Sequence, residues 1–169
     1  MNVTLPAMLG ASALLLTACG SSGGLYGASS SPSPSASPSA TGPARVALGS
    51  TSAGKVLVDG QGMTLYVFAR DTRGRSACTG SCASYWPPVP SSEKPTVAVG
   101  AVTAQFGSVK RPDGSSQLTV NGFPVYTYAG DSQPGQASGQ GQNLSGGLWW
   151  VVSADGSRVT HPAAVRGAY

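Results

Sequence analysis

Thr64-Leu65-Tyr66-Val67-Phe68-Ala69-Arg70-Asp71 contains a Tyr-x-Phe-x-x-Asp core that returns as Tyr126-Thr127-Tyr128-Ala129-Gly130-Asp131. Self-similarity of this kind marks one structural unit used twice in tandem. The match continues outward. A glycine turn precedes each copy, Asp59-Gly60 and then Asn121-Gly122, and a tryptophan follows each, Trp86 and then Trp149 or Trp150. In the first copy Leu65, Val67 and Ala69 alternate with Thr64, Tyr66 and Phe68. Both faces of that strand are largely apolar, which predicts a central strand. The aromatic pair of each copy shares one face. Tyr66, Phe68, Tyr126 and Tyr128 are therefore expected as core layers, with the tyrosine hydroxyls finding backbone partners. The alternative is an exposed aromatic platform for a sugar or another flat ligand.

Asp71 and Asp131 close the two motifs at the same offset. An aspartate there can accept hydrogen bonds from backbone amides two residues on and so fix a turn. As an acid and base pair the two carboxylates would need a nucleophile or a metal-ligand spacing beside them, and the sequence supplies neither.

Around the motifs the pattern is strand, turn, strand. Val56-Leu57-Val58, the turn Asp59-Gly60-Gln61-Gly62 and Met63 to Ala69 read as a hairpin. In the second copy Arg111-Pro112-Asp113-Gly114 leads into Gln117-Leu118-Thr119-Val120, then Asn121-Gly122, a strong hairpin turn, then Pro124 to Ala129. Residues Val97 to Phe106 read as a short helix. Leu148-Trp149-Trp150-Val151-Val152 makes the last clear strand. The fold class is mostly β, an antiparallel sheet or small sandwich built from two related hairpin repeats with little helix. The repeats occupy about 55–90 and 115–155 of a β-rich domain spanning 46–169.

Between the first motif and Trp86 lie Cys78 and Cys82. In an exported protein a cysteine pair four residues apart is most simply a disulfide. A redox or soft-metal role is the rival, with Met63 as a third soft ligand for cuprous copper. The spacing differs from Cys-x-x-Cys, and no second cysteine pair completes a four-thiolate zinc site.

Export is written at the other end of the chain. A short apolar core, Ala11-Ser12-Ala13-Leu14-Leu15-Leu16, runs into Leu16-Thr17-Ala18-Cys19, a lipobox-like sequence. This predicts a signal peptide over 1–18 and lipid attachment at Cys19. Residues 19–45 form a Ser, Pro, Gly and Ala tether, too poor in apolar side chains to bury a core. Such a coil reaches roughly 25 to 30 Å. Met1 to Pro6 carries no Lys or Arg, a departure from ordinary leaders.

The paired Yx(F/W/Y)xxD motif, Cys78-Thr79-Gly80-Ser81-Cys82-Ala83 leading into Trp86-Pro87-Pro88, and Gly139-Gln140-Gly141 before Trp149-Trp150 resemble the bacterial secreted-repeat lipoproteins named for that motif. The resemblance covers residues 55 to about 155. It implies a fold unit and a place on the extracytoplasmic face of the cell membrane, for a family with no established biochemical activity.

Ten Lys and Arg against six Asp and Glu give a net charge of +4. The nearest approach to a cluster is Arg70, Arg73 and Arg75, read as a solvated loop; a nucleic-acid face needs a denser stripe. His161, the single histidine, is expected to be solvated, and no Gly-x-Ser-x-Gly elbow occurs within the β-rich domain. The sequence reading is thus a non-enzymatic envelope lipoprotein that binds or scaffolds. It calls for no cofactor, metal or nucleic acid, with the membrane as one partner and an envelope protein or glycan as candidate ligand.

Overall fold

The computed structural model describes residues 44–91, 95–97 and 102–160. The leader, Cys19, the tether through residue 43 and His161 lie outside the described residues, and Arg45, read as the end of the tether, instead opens the first strand. The described part is mostly β. Two hairpins set its frame: β1 (Arg45–Thr51) with β2 (Gly54–Asp59), and β5 (Phe106–Lys110) with β6 (Ser116–Val120). Their registers correspond, Leu48 opposite Leu57 and Ser108 opposite Leu118. Each hairpin begins before the stretch that hydrophobic patterning marks, because Gly49, Ser50 and Thr51 in β1 and Gly107 and Ser108 in β5 leave little apolar alternation.

Turn chemistry sets the path of the chain beyond each hairpin. Asp59 Oδ1 accepts the N–H groups of Gln61 and Met63, both at 2.9 Å, and returns the chain so that Thr64 bridges to Val58. In the second copy Asn121 and Gly122 both have positive φ, 49° and 83°, as a primed two-residue hairpin turn requires. They join β6 to β7 (Phe123–Pro124).

The copies then exchange their ends. Leu65 N–H donates to Leu57 O, Leu57 N–H to Val152 O, and Val152 N–H to Leu65 O, at 3.0, 2.7 and 3.1 Å. The same cycle joins Val125, Leu118 and Val89: Val125 N–H to Leu118 O, Leu118 N–H to Val89 O, Val89 N–H to Val125 O, at 3.1, 2.8 and 3.1 Å. Val152 comes from the end of the second copy and closes the first. Val89 comes from the end of the first and closes the second.

The motif strands obey the same rule. β3 (Tyr66–Phe68) pairs with β9 (Gly147–Val151), placing Val67 opposite Trp150. Its counterpart, Tyr126 to Tyr128, meets Pro87 and Pro88, where Thr127 N–H donates to Pro87 O at 3.0 Å. Prolines have no N–H to return, so this pairing shrinks to a bridge. At the centre Tyr66 and Tyr126 exchange backbone hydrogen bonds at 2.8 and 3.0 Å. A local two-fold axis runs between them.

Alternation along β3 divides the core in two. Tyr66, Phe68, Trp86, Tyr126, Trp149 and the two cysteines form one cluster. Leu57, Leu65, Val67, Leu118, Val125 and Val152 form the other. β3 is buried on both faces, as the sequence predicts for a central strand.

The smaller elements differ between copies. The first carries α1 (Ser81–Tyr85); the second instead places β8 (Asn143–Leu144) against β9. The helix expected over Val97 to Phe106 is corrected by the described residues there. Val97 belongs to β4 (Thr96–Val97), parallel to β1, and Phe106 opens β5. Thr103 and Ala104 donate to Ala154 O at 3.0 and 3.2 Å, and Gln105 donates to the Asn121 side chain at 2.9 Å. Those N–H groups bond to other segments, so no helical ladder forms.

Candidate functional site

The repeat motif lies inside the molecule. Tyr66, Phe68 and Tyr126 are buried, and Tyr128 is half-buried. An exposed platform is thereby excluded for Tyr66, Phe68 and Tyr126. Four of the aromatic residues form one continuous stack in the order Phe68, Trp149, Trp86, Tyr128, with centroid separations of 4.3, 3.8 and 4.2 Å. The order alternates between copies at its ends, since Phe68 covers the second copy's tryptophan and Tyr128 the first copy's. Tyr66 and Tyr126 meet Trp86 and Trp149 edge-on, at 5.3 and 5.2 Å. This geometry answers which tryptophan repeats: Trp149 is the counterpart of Trp86, while Trp150 packs against the other cluster.

The carboxylates correct the expected local turns. Asp71 Oδ1 accepts the N–H of Ala77 at 2.7 Å, and Asp131 Oδ1 accepts that of Ser138 at 2.8 Å. Each fixes a loop six or seven residues ahead rather than two. The second oxygens bond across the repeat: Tyr66 Oη donates to Asp131 at 2.5 Å, and Tyr126 Oη to Asp71 at 2.8 Å. Burial, together with contact with Asp131, pushes the Tyr66 hydroxyl far above the ordinary tyrosine range. Burial and the Asp71 charge do the same to Tyr126. Burial also raises Asp71, opposed by the Ala77 N–H and the Tyr126 hydroxyl. The tyrosine hydroxyls thus serve the opposite copy's carboxylates; the expected backbone partner is present on Tyr66, whose Oη also accepts the N–H of Gly139 at 3.3 Å, while Tyr126 Oη meets Ser76 Oγ.

Around Tyr126 the network grows. Ser76 Oγ lies 2.7 Å from Tyr126 Oη and accepts from Arg111 Nη1 at 3.0 Å. Arg111 also donates to Gln117 Oε1 at 2.5 Å and to Cys78 O at 2.7 Å. Arg111 and Gln117 are both buried. Gln117 stands where the first copy has Val56, so the copies share a scaffold and differ in its polar lining.

Cys78 and Cys82 form a disulfide with their Cα atoms 5.2 Å apart, and both are buried. The bridge packs in the cluster that holds Trp86. Among the described residues no group of three His, Cys, Asp or Glu gathers as a metal site. No described helix is long and apolar enough to cross a membrane.

Sequence reading missed the feature just above this network. A groove of about 720 Å³ is lined by Arg70, Arg75, Lys110 and Arg111, with Ser76 and Thr79 among its hydroxyls. The arginines read as one solvated loop divide. Arg70 and Arg75 face the groove, whereas Arg73 lies 5.4 Å over the Phe123 ring, with Arg158 at 5.6 Å. Lys110 and Arg111 arrive from the other copy, and no short-range pattern links them to Arg75.

A family model described as a secreted repeat of unknown function matches the chain twice, over residues 48–90 and 107–153. The two matches together span more than half of the chain. Each begins in the first strand of a hairpin and ends one residue beyond the valine that closes the opposite copy. No curated protein and no solved structure matches.

Proposed function

Because this chain belongs to the family of secreted repeats of unknown function, we propose that it is a non-enzymatic binding module of the cell envelope, lipidated at Cys19 and held off the membrane by its tether. The observation that carries this reading is the closure of the chemistry-bearing groups on one another. Tyr66, Tyr126, Asp71 and Asp131 satisfy each other in the core, and the two thiols are joined. A nucleophile or general base must reach a substrate, and a working thiol pair must be accessible. The buried motif meets neither need. Binding then falls to the surface, where the groove over the Arg111 network is the candidate.

The test is to express the full chain in a bacterium that processes lipoproteins and supply radiolabelled fatty acid. Label is expected in the parent and not in Cys19→Ser, because acyl transfer needs the thiol. Thiol titration of the unreduced, denatured parent is expected to find no reactive cysteine. Label retained by Cys19→Ser contradicts the anchor; two titrating thiols contradict the structural assignment of the bridge and favour redox or metal handling.

A further inference from the structure

We infer that the groove between the two copies binds a phosphate-bearing ligand, an assignment of ligand class that rests on the proposed binding role. Arg70 and Arg75 of the first copy face Lys110 and Arg111 of the second around this groove. Two carboxylates lie near. Asp71 is buried and bonded to Ala77 and Tyr126, and Asp113, exposed at the rim, lies 3.5 Å from Arg111 Nε. Among the described residues no carboxylate forms an ion pair with Arg70, Arg75 or Lys110. A concentration of cations that is not neutralised internally raises the local concentration of anions.

The duplication supplies a control within the same chain. Leu57 and Leu118 occupy matching positions, and the hairpin registers then match Lys110 with Ser50 and Arg111 with Thr51. The motif matches Arg70 with Gly130. The turns Thr72 to Arg75 and Gln133 to Gln136, each with a positive-φ glycine third, match Arg75 with Gln136. The second version of the surface is therefore Gly130, Gln136, Ser50 and Thr51. Arg111 is buried and held by Ser76, Gln117 and Cys78 O, but the second version builds the same strands and turns without a single charge, so the fold does not require Arg70, Arg75 and Lys110. They belong to what this face meets.

The kind of anion is set by the donors. Arginine forks bind phosphate oxygens in pairs, and lysine adds a point charge. The hydroxyl of Thr79 adds a donor at the wall. Cations on opposite sides suit a ligand with several acceptor oxygens and more than one negative charge. Phosphate can come from a soluble metabolite, a phosphodiester polymer or a lipid headgroup. Their shared chemistry is what the groove recognises.

Calorimetric titration of the full chain in neutral detergent with pyrophosphate tests this. One site per chain is expected, weakening steeply with salt. Arg75→Gln and Lys110→Ser, which install the second copy's residues, should each weaken binding by about tenfold or more, since charged hydrogen bonds are lost. Arg45→Gln with Lys55→Gln removes two positive charges elsewhere, one more than either single variant, and should leave binding unchanged. All variants alter exposed side chains, and unchanged melting temperatures will show that they fold. Competition by short-chain phosphatidylglycerol but not glycerol phosphate supports the site with a lipid headgroup as source; the reverse supports it with a soluble or polymeric source. Absence of pyrophosphate binding, or equal loss in the control pair, overturns the inference. Such a failure leaves fatty-acid labelling and thiol closure untouched, so it is distinguishable from failure of the binding-module reading itself.

Discussion

The hydroxyl of Tyr66 donates to the carboxylate of Asp131 at 2.5 Å, although the two belong to different copies of the repeat. Tyr126 returns the same bond to Asp71 at 2.8 Å. The Tyr-x-Phe-x-x-Asp motif is therefore half of a contact, and duplication completes it. Tyr66→Phe leaves a buried carboxylate oxygen without its hydroxyl donor and should destabilise by about 1 to 3 kcal/mol. In a double-mutant cycle Tyr66→Phe and Asp131→Asn should couple strongly, because each loses the same bond. Denaturant unfolding measures this; additive effects would contradict a direct Tyr66–Asp131 bond.

Alkaline solution should loosen the same contacts. Both hydroxyls are raised above the ordinary tyrosine value of 10.0. A group whose folded pKa is raised contributes stability that is complete below its unfolded pKa and is lost as pH climbs towards the folded one. Stability should thus fall above about pH 10, by about 1.4 kcal/mol per pH unit for each of the two groups. Tyr66→Phe and Tyr126→Phe should each remove one such share of the slope. Asp71 is raised too, so by the same sign its contribution is present at low pH and lost as pH rises through its folded pKa. Chemical denaturation across pH reads all three.

The cysteine loop stabilises by restricting the unfolded chain. Replacing Cys78 and Cys82 together by serine should cost about 2 kcal/mol on the chain-entropy estimate. The second copy places Gly139 where the first has Cys78 and forms its stack without a bridge, so the double variant should fold with its near-ultraviolet dichroism intact. A variant that keeps the parent's melting temperature contradicts this role.

Gly139 is where the stack admits no side chain. A β-carbon there would lie 2.7 Å from the Trp86 ring and 2.9 Å from Tyr66. Gly139→Ala should cost about 1 to 3 kcal/mol through overpacking, with a lowered melting temperature as the readout. Gly74→Ala, where a β-carbon meets open space but φ is 72°, should cost less, about 1 kcal/mol from the left-handed backbone alone.

These residues also show how far the sequence could be read. The repeat, the two-faced strand at Tyr66 to Phe68, the Asn121-Gly122 turn and the disulfide were legible because each rests on local spacing. β1 and β5 were not, since strands carrying Gly and Ser, as at Gly49-Ser50 and Gly107-Ser108, show little alternation. The short helix expected near Val97 failed because Thr103, Ala104 and Gln105 bond to Ala154 and Asn121, partners that no local pattern discloses. The aspartates were read as local turn formers, and their tyrosine partners lie 55 and 65 residues away. The groove was invisible for the same reason: Arg75 and Lys110 become neighbours only when the copies interlock.

That interlocking is what holds the two copies as one fold, and cutting the chain between them tests it most directly. Val89 closes the second copy and Val152 the first, so a fragment ending at Ser91 and a fragment beginning at Val102 each lack the partner that completes their core. Amide NMR spectra of the separate fragments should be collapsed, and mixing them in equal amounts should restore one dispersed spectrum and one cooperative melting transition. A dispersed, cooperatively melting spectrum from either fragment alone would contradict the exchange of ends.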